Sequence, residues 1–301
     1  MSEADIEVVH TVVFADGVGG GNPCPVVLDA SELSTDEMQA VAGRFGQECG
    51  FVVSPPQDDV PRLRFFVPEH EMSMCVHATA AVVALLAQRG RLPRDVDHVQ
   101  APVGRVGIGY QRATVVGETN VQRVSVTQHD PTFSSANPSR EQVAAVLGVP
   151  VAAIDSARPV ESVSVSRPKL IVPIKDARTL HGLAPDWERL WRLCERFDTT
   201  GIYAFAAAEQ PASWFARQFP VRAGYPEDPA TGVAAGALAA YLIAHAPPVD
   251  RQSIEMHVYQ GQAMGRPSRL DVSGTWSDDR VSDITVSGLV SVSRHHVAPA
   301  V

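Results

Sequence analysis

Two long stretches of this chain are apolar on every side, and nothing else in the sequence constrains the fold as tightly. From His77 the chain reads HATAAVVALLAQ before its first formal charge at Arg89, with Gly90 placed as a helix stop. From Val233 it reads VAAGALAAYLIA, with no acidic or basic residue before His245. Both are rich in Ala and Leu, so both are expected to be helices. A helix without a polar face has to be covered all round. Neither run reaches the 18 or so apolar residues of a membrane span, and no membrane contact is expected. Each helix is instead expected at the centre of a wrapping sheet.

The surrounding sequence supplies the strands. In the first half, Ile6–Phe14, Pro25–Leu28, Phe51–Val53, Leu63–Val67, Val99–Tyr110 and Thr114–Val126 are strand-like. Gly17–Pro25 is a Gly/Pro loop. Ser34-Thr-Asp-Glu37 is a capping-box pattern, and Met38, Val41 and Phe45 follow at helical spacing. In the second half, Ser139–Leu147 and Trp187–Phe197 are expected helices. Val163–Val165, Leu170–Val172, Gly201–Ala207 and Ala212–Phe219 are expected strands. The Ser/Asn/Pro-rich segment Pro131–Pro138 separates the halves. They are variants of one plan without a short fixed-period repeat, and 301 residues suit two compact lobes. The expected class is α+β, with an N-terminal lobe over 1–130 and a C-terminal lobe over 131–285.

Several function classes are disfavoured. A net charge of −9 argues against a nucleic-acid surface, which needs a basic patch. Gly19-Gly-Gly21 matches neither a dinucleotide fingerprint nor a phosphate loop. The four cysteines form no CxxC pair, and no His/Cys spacing suits zinc, so no metal is expected. Reduced thiols and a start lacking signal-peptide character point to the cytoplasm. His295-His296 is expected as an exposed tail.

The two buried helices imply a ligand chemistry. Each N-terminus exposes unpaired N–H groups and the positive end of the helix dipole, which suits a carboxylate. Glu48 lies beside Cys49, Gly50 and Phe51, just before an apolar strand. A carboxyl in such surroundings suits taking and returning a proton at neutral pH. Taken singly, Glu48 is equally a surface helix-end glutamate, His77 a packed or capping histidine, and Asp228-Pro229 and Asn22-Pro23 ordinary turns.

Five blocks in order tie these residues together. They are Gly21-Asn-Pro-Cys-Pro-Val-Val-Leu28, Glu48-Cys-Gly-Phe-Val52, Phe66-Val-Pro…Cys75-Val-His-Ala-Thr79, Glu227-Asp-Pro-Ala-Thr-Gly232 and Tyr259-Gln-Gly…Gly265-Arg-Pro-Ser268. The set resembles the PhzF-like family of phenazine biosynthesis and spans most of the chain. The resemblance implies the diaminopimelate-epimerase-like fold, two similar lobes each with a curved, mostly antiparallel sheet wrapped around a central helix. It implies that the last strand, within 286–301, returns to the first lobe. It implies a cofactor-independent isomerase acting on a small-molecule carboxylate between the lobes, in biosynthesis of a specialised metabolite, and a homodimer. Glu48 falls on the family's catalytic glutamate, His77 on its histidine and Asp228 on its aspartate. Asn22, Val76, Ala78, Thr231, Gly232 and Val233 fall at substrate-binding positions. Val76 stands where the family has glycine and Val233 where it has serine. A serine role is thereby lost, or moved to Thr231 or a backbone N–H. Competing readings are a non-catalytic binding protein of the same fold, or an epimerase or lyase starting from the same proton abstraction. A two-thiol epimerase is disfavoured because no cysteine lies near Pro229, and Cys75 is taken as a packed thiol.

Overall fold

A computed structural model describes residues 5–55, 59–115, 118–246 and 253–299. The chain divides into two compact units. One holds residues 1–15, 21–127 and 287–301, and the other holds 16–20 and 128–286.

The first unit contains β1 (Asp5–Val13), β2 (Asn22–Val27), α1 (Thr35–Phe45), β3 (Cys49–Val52), β4 (Leu63–Phe66), β5 (Glu71–Met72), α2 (Val76–Gln88), β6 (His98–Ala101), β7 (Gly104–Val115) and β8 (Glu118–Thr127). Its strands pair in the order β5–β4–β3–β2–β1. Only β2–β3 is parallel among these. β6, β7 and β8 form an antiparallel ribbon. α2 packs against β1, β2, β3, β7 and β8, so strands surround it. Every residue from Val76 to Leu86 is buried. This is what the uncharged run requires. Burying Leu85 and Leu86 stabilises by roughly 1.5–3 kcal/mol each relative to exposure.

The second unit contains β9 (Thr132–Phe133), α3 (Arg140–Leu147), β10 (Glu161–Ser164), β11 (Pro168–Pro173), α4 (Ala177–His181), α5 (Trp187–Arg196), β12 (Gly201–Ala207), β13 (Ser213–Pro220), α6 (Gly232–Ala244), β14 (Ile254–Gln260) and β15 (Ser268–Ser277). β9 to β15 pair in chain order, with β11–β12 and β13–β14 parallel. α6 packs on β10, β11, β14 and β15 and is buried from Gly232 to Ile243. A separate core lies under α3 and α5, built on Val143, Leu147, Leu190, Leu193, Ile202 and Phe219. The last strand, β16 (Arg280–Pro299), begins in the second unit and ends in the first, where it pairs antiparallel with β1. The α+β class with mostly antiparallel sheets around two central helices is as expected. Among the described residues no helix is long and apolar enough to cross a membrane.

Local differences have local causes. Asn22 is not in a turn: it opens β2 opposite Val13. The segment 99–110 is a hairpin, with β6 and β7 separated at Pro102-Val103, because proline cannot donate to a sheet ladder. The segment 131–138 is not a bare linker, since β9 within it pairs with β10. α2 starts one residue earlier than expected, with Cys75 as its N-cap.

Candidate active site

The first unit gathers Glu48, Cys75 and His77. α1 begins with the expected capping box, Ser34 with Glu37, and ends at Gly46 in the left-handed region, φ 61°. That turn delivers Glu48 directly ahead of β3. Its side chain is 12% exposed and that of His77 is 3% exposed. Cys75 holds extended backbone, φ −144°, and its Sγ accepts the Ala78 N–H at 3.4 Å. Glu48 Oε2 lies 3.0 Å from His77 Nε2 and 3.2 Å from Cys75 Sγ, which donates its S–H. Cys75 Sγ also lies 3.4 Å from His77 Nδ1.

The electrostatics follow from burial. Desolvation holds His77 below the usual imidazole value, opposed by the Glu48 charge. At neutral pH His77 is therefore a neutral imidazole. Burial pushes the Cys75 thiol well up, and Glu48 and Cys24 add to it. Cys24 and Cys49 are raised by burial as well. Cys75 is thus an S–H donor to the carboxylate, more than the packed thiol expected of it. The Ala78 N–H donates to Cys75 Sγ, and the Thr79 N–H is the first to donate into the helix, to Cys75 O at 3.0 Å, so the N–H groups of Val76 and His77 come before both.

The second unit gathers Asp228, Thr231, Gln260 and Tyr203. Asp228 is buried, and its backbone N–H donates to Gln218 O at 3.2 Å. The Thr231 hydroxyl donates to Asp228 Oδ2 in a short hydrogen bond. Thr231 occupies the N-cap of α6, yet its side chain caps no helix N–H because Asp228 engages it. The Gln260 amide donates to Asp228 O at 2.6 Å and to Thr231 Oγ1 at 3.0 Å. Gln260 Oε1 accepts the Thr231 N–H at 3.3 Å and the Tyr203 hydroxyl at 3.0 Å. Beside Asp228, Glu227 is gripped by Arg217 through two bonds of 2.9 and 2.7 Å. Arg217 also donates to the carbonyls of Leu180, His181 and Leu183 at the end of α4.

Each residue singled out in the sequence now has a place. Glu48 and His77 meet, and Val76 is buried on the turn between Cys75 and His77. Asp228, Thr231, Gly232 and Val233 meet at the start of α6, with Val233 packed at 5% exposure. Asn22 is buried at the start of β2, opposite Val13. Cys75 was expected only as a packed thiol, and Gln260 and Tyr203 had no expected role. The only signal for Gln260 was its place in the Tyr259-Gln-Gly block, and Tyr203 carried none.

Comparisons with known proteins agree over nearly the whole chain. Residues 11–295 match the model of a family described as phenazine biosynthesis-like protein. The chain is 31% identical to an uncharacterised isomerase of Deinococcus radiodurans over 294 residues, covering 96% of this chain and 94% of that protein. It is also 31% identical to the trans-2,3-dihydro-3-hydroxyanthranilate isomerase of Pseudomonas aeruginosa, covering 93% and 96%. The crystal structure of a Bacillus anthracis phenazine biosynthesis protein of the PhzF family superposes with a TM-score of 0.85 at 26% identity, covering 98% and 99%.

Proposed function

Since the chain belongs to the phenazine biosynthesis-like family and is an isomerase, we propose that it shifts a proton, and with it a double bond, in a small carboxylate- or amino-acid-derived substrate without a cofactor. The observation that carries this reading is Glu48, a partly exposed carboxylate whose Oε2 receives both a neutral imidazole and a thiol. Glu48 takes the proton from an acidic C–H, and the electron pair of that bond becomes part of the shifted double bond. Glu48 then returns the proton to the far carbon of the allylic system, and the carboxylate is regenerated. His77 and Cys75 hold Oε2 in place while the charge on it changes. Asp228, held by Thr231, orients the substrate, and the uncapped start of α6 at Gly232 and Val233 binds its carboxylate. Asn22, Val76 and Ala78 shape the pocket.

Val76 and Val233 are packed aliphatic side chains at positions where the family has hydrogen and a hydroxyl. The substrate is therefore proposed as a class, not copied from the anthranilate relative. A role in specialised-metabolite or antibiotic biosynthesis, a cytoplasmic location and a homodimer belong to the same proposal. One observation favours a second reading. A protonated thiol beside the base is a second proton carrier, so a proton delivered to the opposite face of the carbon that lost one would make the enzyme an epimerase.

Proton NMR in D₂O of a panel of unsaturated and saturated small amino acids separates these outcomes. Wild type is expected to move the double bond with deuterium uptake, and Glu48→Gln to lose at least about 100-fold of that rate. Deuterium uptake with inversion and no bond shift selects epimerisation. Exchange that survives in Glu48→Gln removes Glu48 as the base.

A further inference from the structure

Thr231 stands at the N-cap of α6 without capping it. In each of α1 to α5 the N-cap side chain accepts the N–H three residues on, as Ser34 does from Glu37. Threonine is suited to the same bond. In α6 the Ala235 N–H donates to Thr231 O, but the Thr231 side chain accepts no helix N–H. We infer that Gln260, with Tyr203 behind it, is the positioning residue that turns the Thr231 hydroxyl from its own helix onto Asp228. The inference rests on the roles proposed above for Asp228 and for the start of α6 toward substrate.

The Gln260 amide has one orientation. Nε2 lies 2.6 Å from Asp228 O and Oε1 lies 3.3 Å from Thr231 N, so an exchanged amide would set oxygen against oxygen and N–H against N–H. Thr231 Oγ1 accepts from Nε2 at 3.0 Å, so its own hydrogen points away from the amide and goes to Asp228 Oδ2. Oε1 only accepts, so the Tyr203 hydroxyl donates to it. Tyr203 keeps that hydrogen, because burial and then the Asp228 charge push its hydroxyl well above the usual phenol value. The donors of Tyr203, Gln260 and Thr231 thus run one way, toward the Asp228 carboxylate. Strands anchor the chain of bonds. Tyr203 lies on β12 opposite Gln218, whose carbonyl accepts the Asp228 N–H. Gln260 ends β14, opposite Ala216 and Ser268. Gln260 and Tyr203 have no exposed surface, so they act through Thr231 and not by touching substrate. The outcome is a fixed Asp228 and, at Val233 and Ala234, helix N–H groups that no Thr231 cap occupies.

Crystal structures of full-chain variants test this without substrate. In Gln260→Met the Thr231 hydroxyl is expected to leave Asp228 and cap α6 at the Val233 or Ala234 N–H. Gln260→Asn keeps an amide that falls one methylene short of Thr231, and it serves if Gln260→Met does not fold. Thr231 still bonded to Asp228 and capping nothing, in either variant, overturns the inference. Turnover gives a second readout, on whichever compound of the deuterium panel wild type converts. Gln260→Met and Thr231→Val are each expected to lower kcat about 10-fold or more, and the double variant no further than the slower single one. Tyr203→Phe removes one neutral bond and should lower kcat about 2- to 10-fold. Thr231→Ser keeps the hydroxyl and should stay near wild type. A Gln260→Met enzyme that melts earlier but keeps wild-type kcat, or one whose loss multiplies with that of Thr231→Val, would make Gln260 structural and overturn its positioning role. A panel that wild type leaves unconverted bears on the isomerase reading, and the Thr231 geometry in the variants then decides this one.

Discussion

One amide holds the second unit's constellation. Gln260 joins Tyr203, Thr231 and the Asp228 backbone, and all four groups are buried. Gln260→Leu keeps the volume and strands at least three polar groups, each costing about 1–3 kcal/mol. Stability is expected to fall by about 3 kcal/mol or more, read as a lower urea midpoint at unchanged slope. Tyr203→Phe removes a single bond and is expected to cost about 1 kcal/mol. Equal midpoints for Gln260→Leu and wild type would mean that the network carries nothing. At this scale the sequence was legible where blocks of residues sat together. Glu48, His77 and Asp228 stood out from their motifs alone. The meeting of Glu48 with Cys75 did not, because 27 residues separate them and no periodicity links a loop before β3 to the cap of α2. Thr231 shows the same limit. Its type suits an N-cap, but only the fold shows that Asp228 engages it.

β3 crosses α2 at close range. A Cβ on Gly50 would stand 3.0 Å from Val82 Cγ2 and 3.4 Å from the Ala78 carbonyl. Gly50 lies two residues after Glu48, and Ala78 one after His77. Gly50→Ala is therefore expected to push the first turn of α2 off the strand, at a cost of about 1–3 kcal/mol. It should also slow turnover more than that cost alone explains, since the 3.0 Å Glu48–His77 contact is stretched. Thermal melts beside the deuterium assay check both. A variant with wild-type melting and wild-type rate would show that the packing has slack. The apolar helices and the Ser34–Glu37 box were legible because each rests on neighbours along the chain. β14 and β15 were not. β15 reads SRLDVSGTWS, and only its alternate residues Ser268, Leu270, Val272 and Gly274 face inward. Two of those four are Ser and Gly, so the apolar alternation is too thin to stand out. In β16 one strand serves two units and no local pattern marks the change, so its return to the first lobe was implied by the family resemblance alone.

Over the whole molecule, buried groups that resist changing charge set the pH range of stability. His77 titrates below 6.5 in the folded protein because it is buried. Between its folded value and 6.5 the unfolded chain binds more protons than the native one, so stability rises with pH there and is lost on acidification. His181 acts in the same direction but is half-buried and contributes less. On the alkaline side Cys24, Cys49 and Cys75 stay protonated above 9.0, where the unfolded chain releases their protons. There the native state binds more protons, and stability falls as pH rises. Cys194, pushed up to about 12, and the raised hydroxyls of Tyr203 and Tyr241 steepen that fall. Each pH unit separating a folded from an unfolded titration is worth about 1.4 kcal/mol. Melting temperature against pH is therefore expected to form a plateau from about 6.5 to about 9, with both limbs descending. His77→Gln removes the main group on the acid side, so its curve between pH 5 and 6.5 should be flatter than that of wild type, whatever its absolute stability. A wild-type curve that stays level down to pH 5 would show that His77 takes up a proton without resistance, as it would if the Glu48 charge outweighed the burial of the ring.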